Sequence, residues 1–157
     1  MLAFYEGASN AMVTQSSGCY RGNKLWLQAV AGGKDWVLCH TSALECLELF
    51  TGYLNENRID VYATEHGEYE NVNYRIVDSF DGLGIARFRD LRYTTVNQTI
   101  NDMLADYDNI DEQSLAEALS TYYHRNGQSF DDLEIELENQ ATFDLIKDWV
   151  IEYYDES

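Results

Sequence analysis

The chain has 157 residues, with 28 Asp or Glu against 10 Lys or Arg and a formal net charge of −18. That length suits one hydrophobic core that buries roughly 70% of the unfolded surface, so neither disulfides nor metals are needed to hold it. The three cysteines, Cys19, Cys39 and Cys46, lack C-x-x-C spacing, and proline is absent; this argues against a disulfide framework, a zinc site and Pro-rich linkers, and for reduced thiols in the cytoplasm.

No run of about 18 apolar residues occurs, and no basic stretch precedes an apolar one at the N-terminus. The expectation is a cytoplasmic protein without a membrane segment or signal peptide. The charge is localised. Residues 1–100 hold 12 acidic and 8 basic side chains, whereas residues 101–157 hold 16 and 2, a net of −14. Such a field repels phosphate backbones and draws basic partners. It reads as a solvated face, as a docking surface for a basic protein, or as a mimic of DNA.

Residues 1–17 form a lead-in, and 18–157 form a single domain. Within 19–31 the stretch K-L-W-L-Q-A-V-A alternates Leu25, Leu27 and Ala29 with Trp26, Gln28 and Val30. That alternation predicts a strand, with a short helix as the alternative because both faces are apolar. Gly32-Gly33 turns the chain, and 35–40 (D-W-V-L-C-H) is a short strand or a helix lead-in. Ser42 and Glu45 have the spacing of a capping box, followed by Leu44, Leu47 and Phe50 on one helical stripe and Gly52 as the stop. Residues 58–64 predict a strand with Ile59, Val61 and Ala63 on one face. Residues 65–68 are a turn and 72–80 a further strand. Gly82 and Gly84 then lead to a strand over 85–91 that pairs with it as a hairpin.

Beyond residue 93 the period becomes helical. Thr95 and Gln98 form a second capping box ahead of Val96, Ile100, Met103 and Leu104. Asp111 caps a helix carrying Leu115, Ala118, Leu119 and Tyr122 that ends at Asn126-Gly127. Helices over 130–137 and 141–154 follow, the last with Phe143, Ile146, Trp149, Val150 and Tyr153 at helical spacing. The fold class is α+β: a sheet of about four to five strands with an early helix, then a C-terminal layer of about four helices.

The chemistry-bearing residues are few. Cys39-His40 are adjacent on a strand end and point to opposite faces, so they do not make a nucleophile–base pair; they read as packing at the joint. Glu65, His66, Glu68 and Glu70 read as a solvated turn, and His124 as a helix-end imidazole that suits the dipole. Arg75, Arg87, Arg89 and Arg92 are the one basic concentration and are expected to pair with the acidic helices of the same chain. No H-E-x-x-H, no phosphate-binding glycine loop, no G-x-S-x-G and no acidic-x-Lys strand signature occur. No catalytic, cofactor-binding or metal-binding residue is assigned, no cofactor is expected, and the partner-binding residues are left open.

Two stretches together carry a resemblance. One is G-C-Y-R-G at 18–22 followed by W-V-L-C-H-T-S-A-L-E at 36–45. The other is R-Y-T-T-V-N-Q-T-I-N-D-M-L at 92–104, followed by the Leu- and Ala-rich helix at 111–123. The chain resembles the C-terminal part of AbiEi-type antitoxins of type IV toxin–antitoxin (abortive infection) systems, over roughly residues 18–125. Ser42-Ala43-Leu44 fits that family's helix start, and Thr99-Ile100-Asn101-Asp102 fits its T-[LI]-x-D element; Gln98 departs from it, since an Arg is common there. The 17 residues before Gly18 are too few for the winged helix that comes first in the family. The resemblance therefore implies a non-enzymatic protein-binding module that neutralises a nucleotidyltransferase-like toxin with a basic surface, without binding nucleic acid itself. The alternatives are an acidic DNA-mimic inhibitor of DNA-binding proteins and, last, a degenerate metal-dependent nuclease-like domain.

Overall fold

The computed structural model describes residues 23–51 and 58–152. The elements, in order, are α1 (Asn23–Ala31), β1 (Val37–Leu38), α2 (His40–Cys46), β2 (Ile59–Ala63), β3 (Val72–Ile76), β4 (Ile85–Phe88), β5 (Leu91–Thr94), α3 (Val96–Ala105), α4 (Glu112–Arg125) and α5 (Gln140–Ile151). Short 3-10 turns at Tyr107–Asn109 and Leu137–Asn139 precede α4 and α5. The α+β class holds, with a five-stranded mixed sheet in the order β3-β2-β1-β5-β4.

The segment at 19–31 is the first correction: its described part is a helix, not a strand. Leu27 and Ala31, one turn apart, are buried, while Leu25 is exposed. Burial therefore follows the 3.6-residue period, and the alternation of 25, 27 and 29 is incidental. Gly33 leaves the helix with a left-handed backbone (φ 81°), and β1 follows as the short strand expected within 35–40.

Helix α2 starts three residues earlier than the Ser42–Glu45 box predicts. Its N-cap is Cys39, with no side-chain cap bond, and the helix ends at Cys46. Ser42 is spent elsewhere: its Oγ accepts from the Asp60 backbone N–H at 2.9 Å, tying α2 to β2. The expected stop at Gly52 lies outside the described residues.

In β2, Ile59, Val61 and Ala63 are buried as their alternation predicts. The predicted hairpin between 72–80 and 85–91 does not form, which is the second correction. β3 runs parallel to β2, pairing Ile59 with Val72 and Ala63 with Ile76. β4 instead pairs antiparallel with β5, with Phe88 opposite Leu91 across a two-residue turn in which Arg89 is left-handed (φ 58°). The sequence hides β5 because L-R-Y-T is short and runs straight into a helix cap. The parallel register puts Val72 and Tyr74 on the face of Ile59 and Val61. There they join Leu27, Trp36, Leu38, Leu91 and Tyr93 in one apolar cluster. Asp60, Tyr62, Asn73 and Arg75 point to the opposite face.

The second core lies between helices. Leu44, Leu49, Phe50, Ile100, Met103, Leu104, Leu115, Leu119, Leu133, Phe143, Ile146 and Val150 pack together, with Leu47 touching both clusters. Thr95 caps α3 as predicted, its Oγ1 accepting from Gln98 N at 3.3 Å. The reciprocal half of the box is diverted: Gln98 Oε1 accepts from Gly84 N, and Gln98 Nε2 donates to Asp102. Gly84 is required there, since a Cβ would stand 2.7 Å from Thr95 Oγ1. Replacing Thr95 by Ala is expected to lower stability by about 1 kcal/mol, measured by urea denaturation; an unchanged midpoint would remove the cap from the account.

Asp111 caps α4 through Gln113 N at 3.1 Å, and α4 ends at Asn126 with left-handed Gly127 (φ 69°), both as read. The expected helix at 130–137 is the third correction. This segment is irregular until the 3-10 turn at Leu137–Asn139. Its Leu133 is buried, and Phe130 and Ile135 pack on the helical core. Its backbone is satisfied by side chains of α3: Glu134 N donates to Asn97 Oδ1 at 3.0 Å and Glu136 N to Asn101 Oδ1 at 2.8 Å. Among the described residues the C-terminal layer thus has three α-helices, where the sequence predicts about four. α5 buries Phe143, Ile146 and Val150 at the predicted spacing; Tyr153 lies outside the described residues.

Candidate functional site

Burying Phe143, Ile146 and Val150 turns the other side of α5 outward. Leu145 is 80% exposed and Trp149, one turn on, 45%; Leu137, two turns back in the 3-10 turn, is 89% exposed. With the exposed Ala141 these residues fall at four-residue intervals, the spacing of a surface ridge along a helix. Glu134, Glu136, Glu138, Asp144, Asp148 and Glu152 are exposed around it. Between residues 126 and 152 the sequence holds one cation, Lys147, whose Nζ lies 3.7 Å from Asp144. An apolar ridge with a carboxylate rim is the anatomy of a protein-binding patch, in which the ridge supplies affinity and the rim orientation.

A second feature is partly buried. Asp60, Tyr62 and Arg75 of the sheet meet α3, and His40 stands beside them at the joint between β1 and α2. Arg75 Nη1 donates to Asp60 Oδ1 at 3.1 Å, and Arg75 Nη2 lies 4.0 Å from Asp106 Oδ2. Asn73 Nδ2 donates to the same Asp60 oxygen at 3.1 Å. Tyr62 donates to Asp102 Oδ2 at 2.8 Å, and Gln98 Nε2 donates to Asp102 Oδ1 at 2.9 Å. Burial pushes the Asp102 carboxyl up, against the pull of those two hydrogen bonds. Burial, then the Asp60 charge, pushes Glu45 up to about 8.

His40 is the outlier in this cluster. Only 3% of its surface is exposed, and neither ring nitrogen has a hydrogen-bond partner among the described residues. Its Nε2 lies 3.9 Å from Asp106 Oδ2, beyond hydrogen-bonding reach, and its ring meets Tyr62 edge-on with centroids 6.2 Å apart. Its backbone is left-handed (φ 50°). Each unpaired buried polar atom costs about 1–3 kcal/mol, and a left-handed non-glycine residue about 1–2 kcal/mol. Burial, then Arg75, lowers the imidazole to about 4, so the ring is neutral at pH 7.

The sequence reads Cys39 as buried and His40 as half-buried at the packing joint. Cys39 is buried as read, His40 is buried too, and burial, then Asp60, raises the Cys39 thiol well above its ordinary range, the opposite of what activates a nucleophile. Glu65, His66, Glu68 and Glu70 are placed in their turn, with His66 Nδ1 2.8 Å from the Gly67 carbonyl and its ring over Tyr74. Among the described residues, Arg75 alone of the four arginines meets the acidic tail, at Asp106. Arg92 pairs with Asp35 at 3.4 Å and stacks on Phe80, and Arg89 lies over Phe88. His124 sits in the last turn of α4 as read. It lines a pocket of about 320 Å³ with Glu48, Leu49, Thr51, Glu117, Thr121 and Arg125, where the buried Glu117 carboxylate accepts from Thr51 N at 3.0 Å.

Among the described residues no three or more His, Cys, Asp or Glu side chains stand together as metal ligands, and no helix is long and apolar enough to cross a membrane. The α5 ridge is half legible in the sequence. Helical spacing puts Trp149 in the buried stripe, and the i, i+4 row of Leu137, Ala141, Leu145 and Trp149 is the signal that corrects it. The chain matches no known protein-family model, and no curated protein matches it significantly.

Proposed function

We propose that this chain is a non-enzymatic protein-binding module of the cytoplasm, resembling the C-terminal domain of AbiEi-type antitoxins, that sequesters a basic, nucleotidyltransferase-like toxin. The observation that carries the reading is the exposed ridge of Leu137, Leu145 and Trp149 inside a rim of carboxylates. The rim repels nucleic acid and a second copy of the same face, and it steers a cationic surface toward the ridge. The order of elements supports the resemblance. The S-A-L residues lie on α2 directly after β1, and T-I-N-D lies on α3 after the remaining strands.

The test is a pull-down from the native cytoplasm with the wild-type chain and with Asp144→Lys/Asp148→Lys, washed at low and high salt. The expected result is one dominant basic partner of nucleotidyltransferase type, released by salt and not retained by the charge-reversed chain. Retention of that partner by both chains would refute the docking face. Recovery of many unrelated DNA-binding proteins would replace sequestration of one toxin with mimicry of DNA.

A further inference from the structure

His40 combines three features that seldom coincide: near-complete burial, two ring nitrogens without a hydrogen-bond partner among the described residues, and a left-handed backbone at the first position of a helix. It also occupies a joint on which both cores depend. Cys39 N donates to the Asp60 carbonyl at 3.0 Å, the Cys39 carbonyl accepts from Ala43 N at 3.1 Å, and Thr41 Oγ1 meets Ser114 Oγ of α4 at 3.0 Å inside the protein. Whatever moves His40 moves the attachment of α2 to both the sheet and α4.

A proton on this ring would meet a prearranged set of charges. From β2 it faces Asp60 and Tyr62, from β3 Arg75, and from the C-terminal cap of α3 Asp106; Asp102 of α3 stands behind Tyr62, Cys39 precedes the ring in sequence, and Glu45 follows in α2. The carboxylates are already engaged. Asp60 holds Arg75 and Asn73, Asp102 holds Tyr62 and Gln98, and Asp106 faces the Arg75 guanidinium at 4.0 Å. The imidazolium would therefore be a buried cation beside the half-buried Arg75 guanidinium, with its nearest carboxylate out of hydrogen-bonding reach.

We propose that His40 is an acid-operated latch on the joint between β1 and α2: the neutral ring keeps the joint shut, and a proton on the ring opens it. The sign follows from linkage. The ring titrates near 6.5 in the open joint and at about 4 in the closed one. Closure is therefore fully favoured above pH 6.5 and weakens as pH falls toward 4, by roughly 100-fold in the opening equilibrium. Glu45, raised to about 8, acts with the opposite sign and favours closure at low pH, so the latch is read as a difference between wild type and a variant that cannot titrate.

Cys39 reports on the joint directly, because it is fully buried when the joint is shut. The experiment is labelling of the full chain with 4,4′-dithiodipyridine, read peptide by peptide. Each rate is divided by that of the urea-unfolded chain at the same pH. Relative to the trend in a variant that cannot titrate at position 40, wild-type Cys39 protection is expected to fall roughly 100-fold between pH 6.5 and pH 4, because Glu45 shifts both chains equally toward closure over that range. In His40→Asn, whose side chain tolerates the left-handed backbone and carries no titrating group, it is expected to change less than about 3-fold beyond the trend set by Glu45. Equal slopes in the two chains, or protection that rises in acid because Asp106 closes on the imidazolium, would overturn the proposal. So would parallel loss of hydrogen-exchange protection in α5, which packs on α4 away from the joint, since that would mean global unfolding. A titration of the His40 ring by NMR on the wild-type chain covers the case in which the variant does not fold: a midpoint at 6 or above ends the idea.

Discussion

Replacing Asn101 by Ala is expected to destabilise the protein by about 3 kcal/mol, although the side chain lies in no apolar cluster. Its Nδ2 donates to the Asn97 carbonyl at 2.8 Å and to the Glu134 carbonyl at 2.7 Å. Its Oδ1 accepts from Glu136 N at 2.8 Å and from Asn139 Nδ2 at 3.0 Å. One amide thus holds the irregular run from Glu134 to Asn139 against α3 and sets where α5 begins. Alanine leaves the Glu134 carbonyl and the Glu136 N–H without these partners in a mostly buried seam. At about 1 kcal/mol for each lost bond, more where the remaining partner stays buried, the sum is near 3 kcal/mol. Denaturant unfolding measures it as a lower midpoint at constant slope. Asn101→Asp separates shape from chemistry. It keeps the acceptor for Glu136 but sets a carboxylate oxygen against the carbonyls of Asn97 and Glu134, so it should cost at least as much. If the Asn101→Asp substitution leaves stability unchanged, the amide is not the clamp.

The same residue shows how far the sequence could be read. The T-I-N-D run is legible as a motif, and the structure gives each member a structural duty. Thr99 Oγ1 bonds back to the Thr95 carbonyl at 2.6 Å, Ile100 enters the core, Asn101 clamps the following segment, and Asp102 holds Tyr62. Periodicity finds β2, α3, α4 and α5 because each buries one regularly spaced face in an apolar cluster. It fails where a residue serves a distant partner. Ser42 has the local pattern of a cap, yet bonds β2; Asn97 and Asn101 replace a helix over 130–137 with side-chain hydrogen bonds. The strand pairing departs from expectation for a related reason. A hairpin is the shortest closure for two neighbouring strands, but the parallel register of β3 buries Val72 and Tyr74 beside Trp36. The His40 cluster is not visible in the sequence at all, because Asp60, Tyr62, Arg75, Asp102 and Asp106 converge only through the fold.

The other large effect concerns binding. Leu137→Ser combined with Leu145→Ser is expected to weaken the partner complex by roughly 30-fold, about 2 kcal/mol. Both side chains are at least 80% exposed, so their replacement should change folding stability by no more than about 0.5 kcal/mol, and the loss reads as binding alone. The two parts of the face should also separate kinetically. Removing the ridge takes away contacts formed only in the final complex and speeds dissociation. Reversing Asp144 and Asp148 changes the field that guides encounter, and so slows association and flattens its dependence on salt. Surface plasmon resonance on the purified partner at two ionic strengths resolves the two. If the serine pair leaves dissociation unchanged while the lysine pair abolishes binding, the acidic surface is engaged through charge alone and α5 is not where the partner sits. If both pairs act as expected, the exposed leucines are explained: solvent-facing apolar side chains on an otherwise charged helix are retained because another protein covers them.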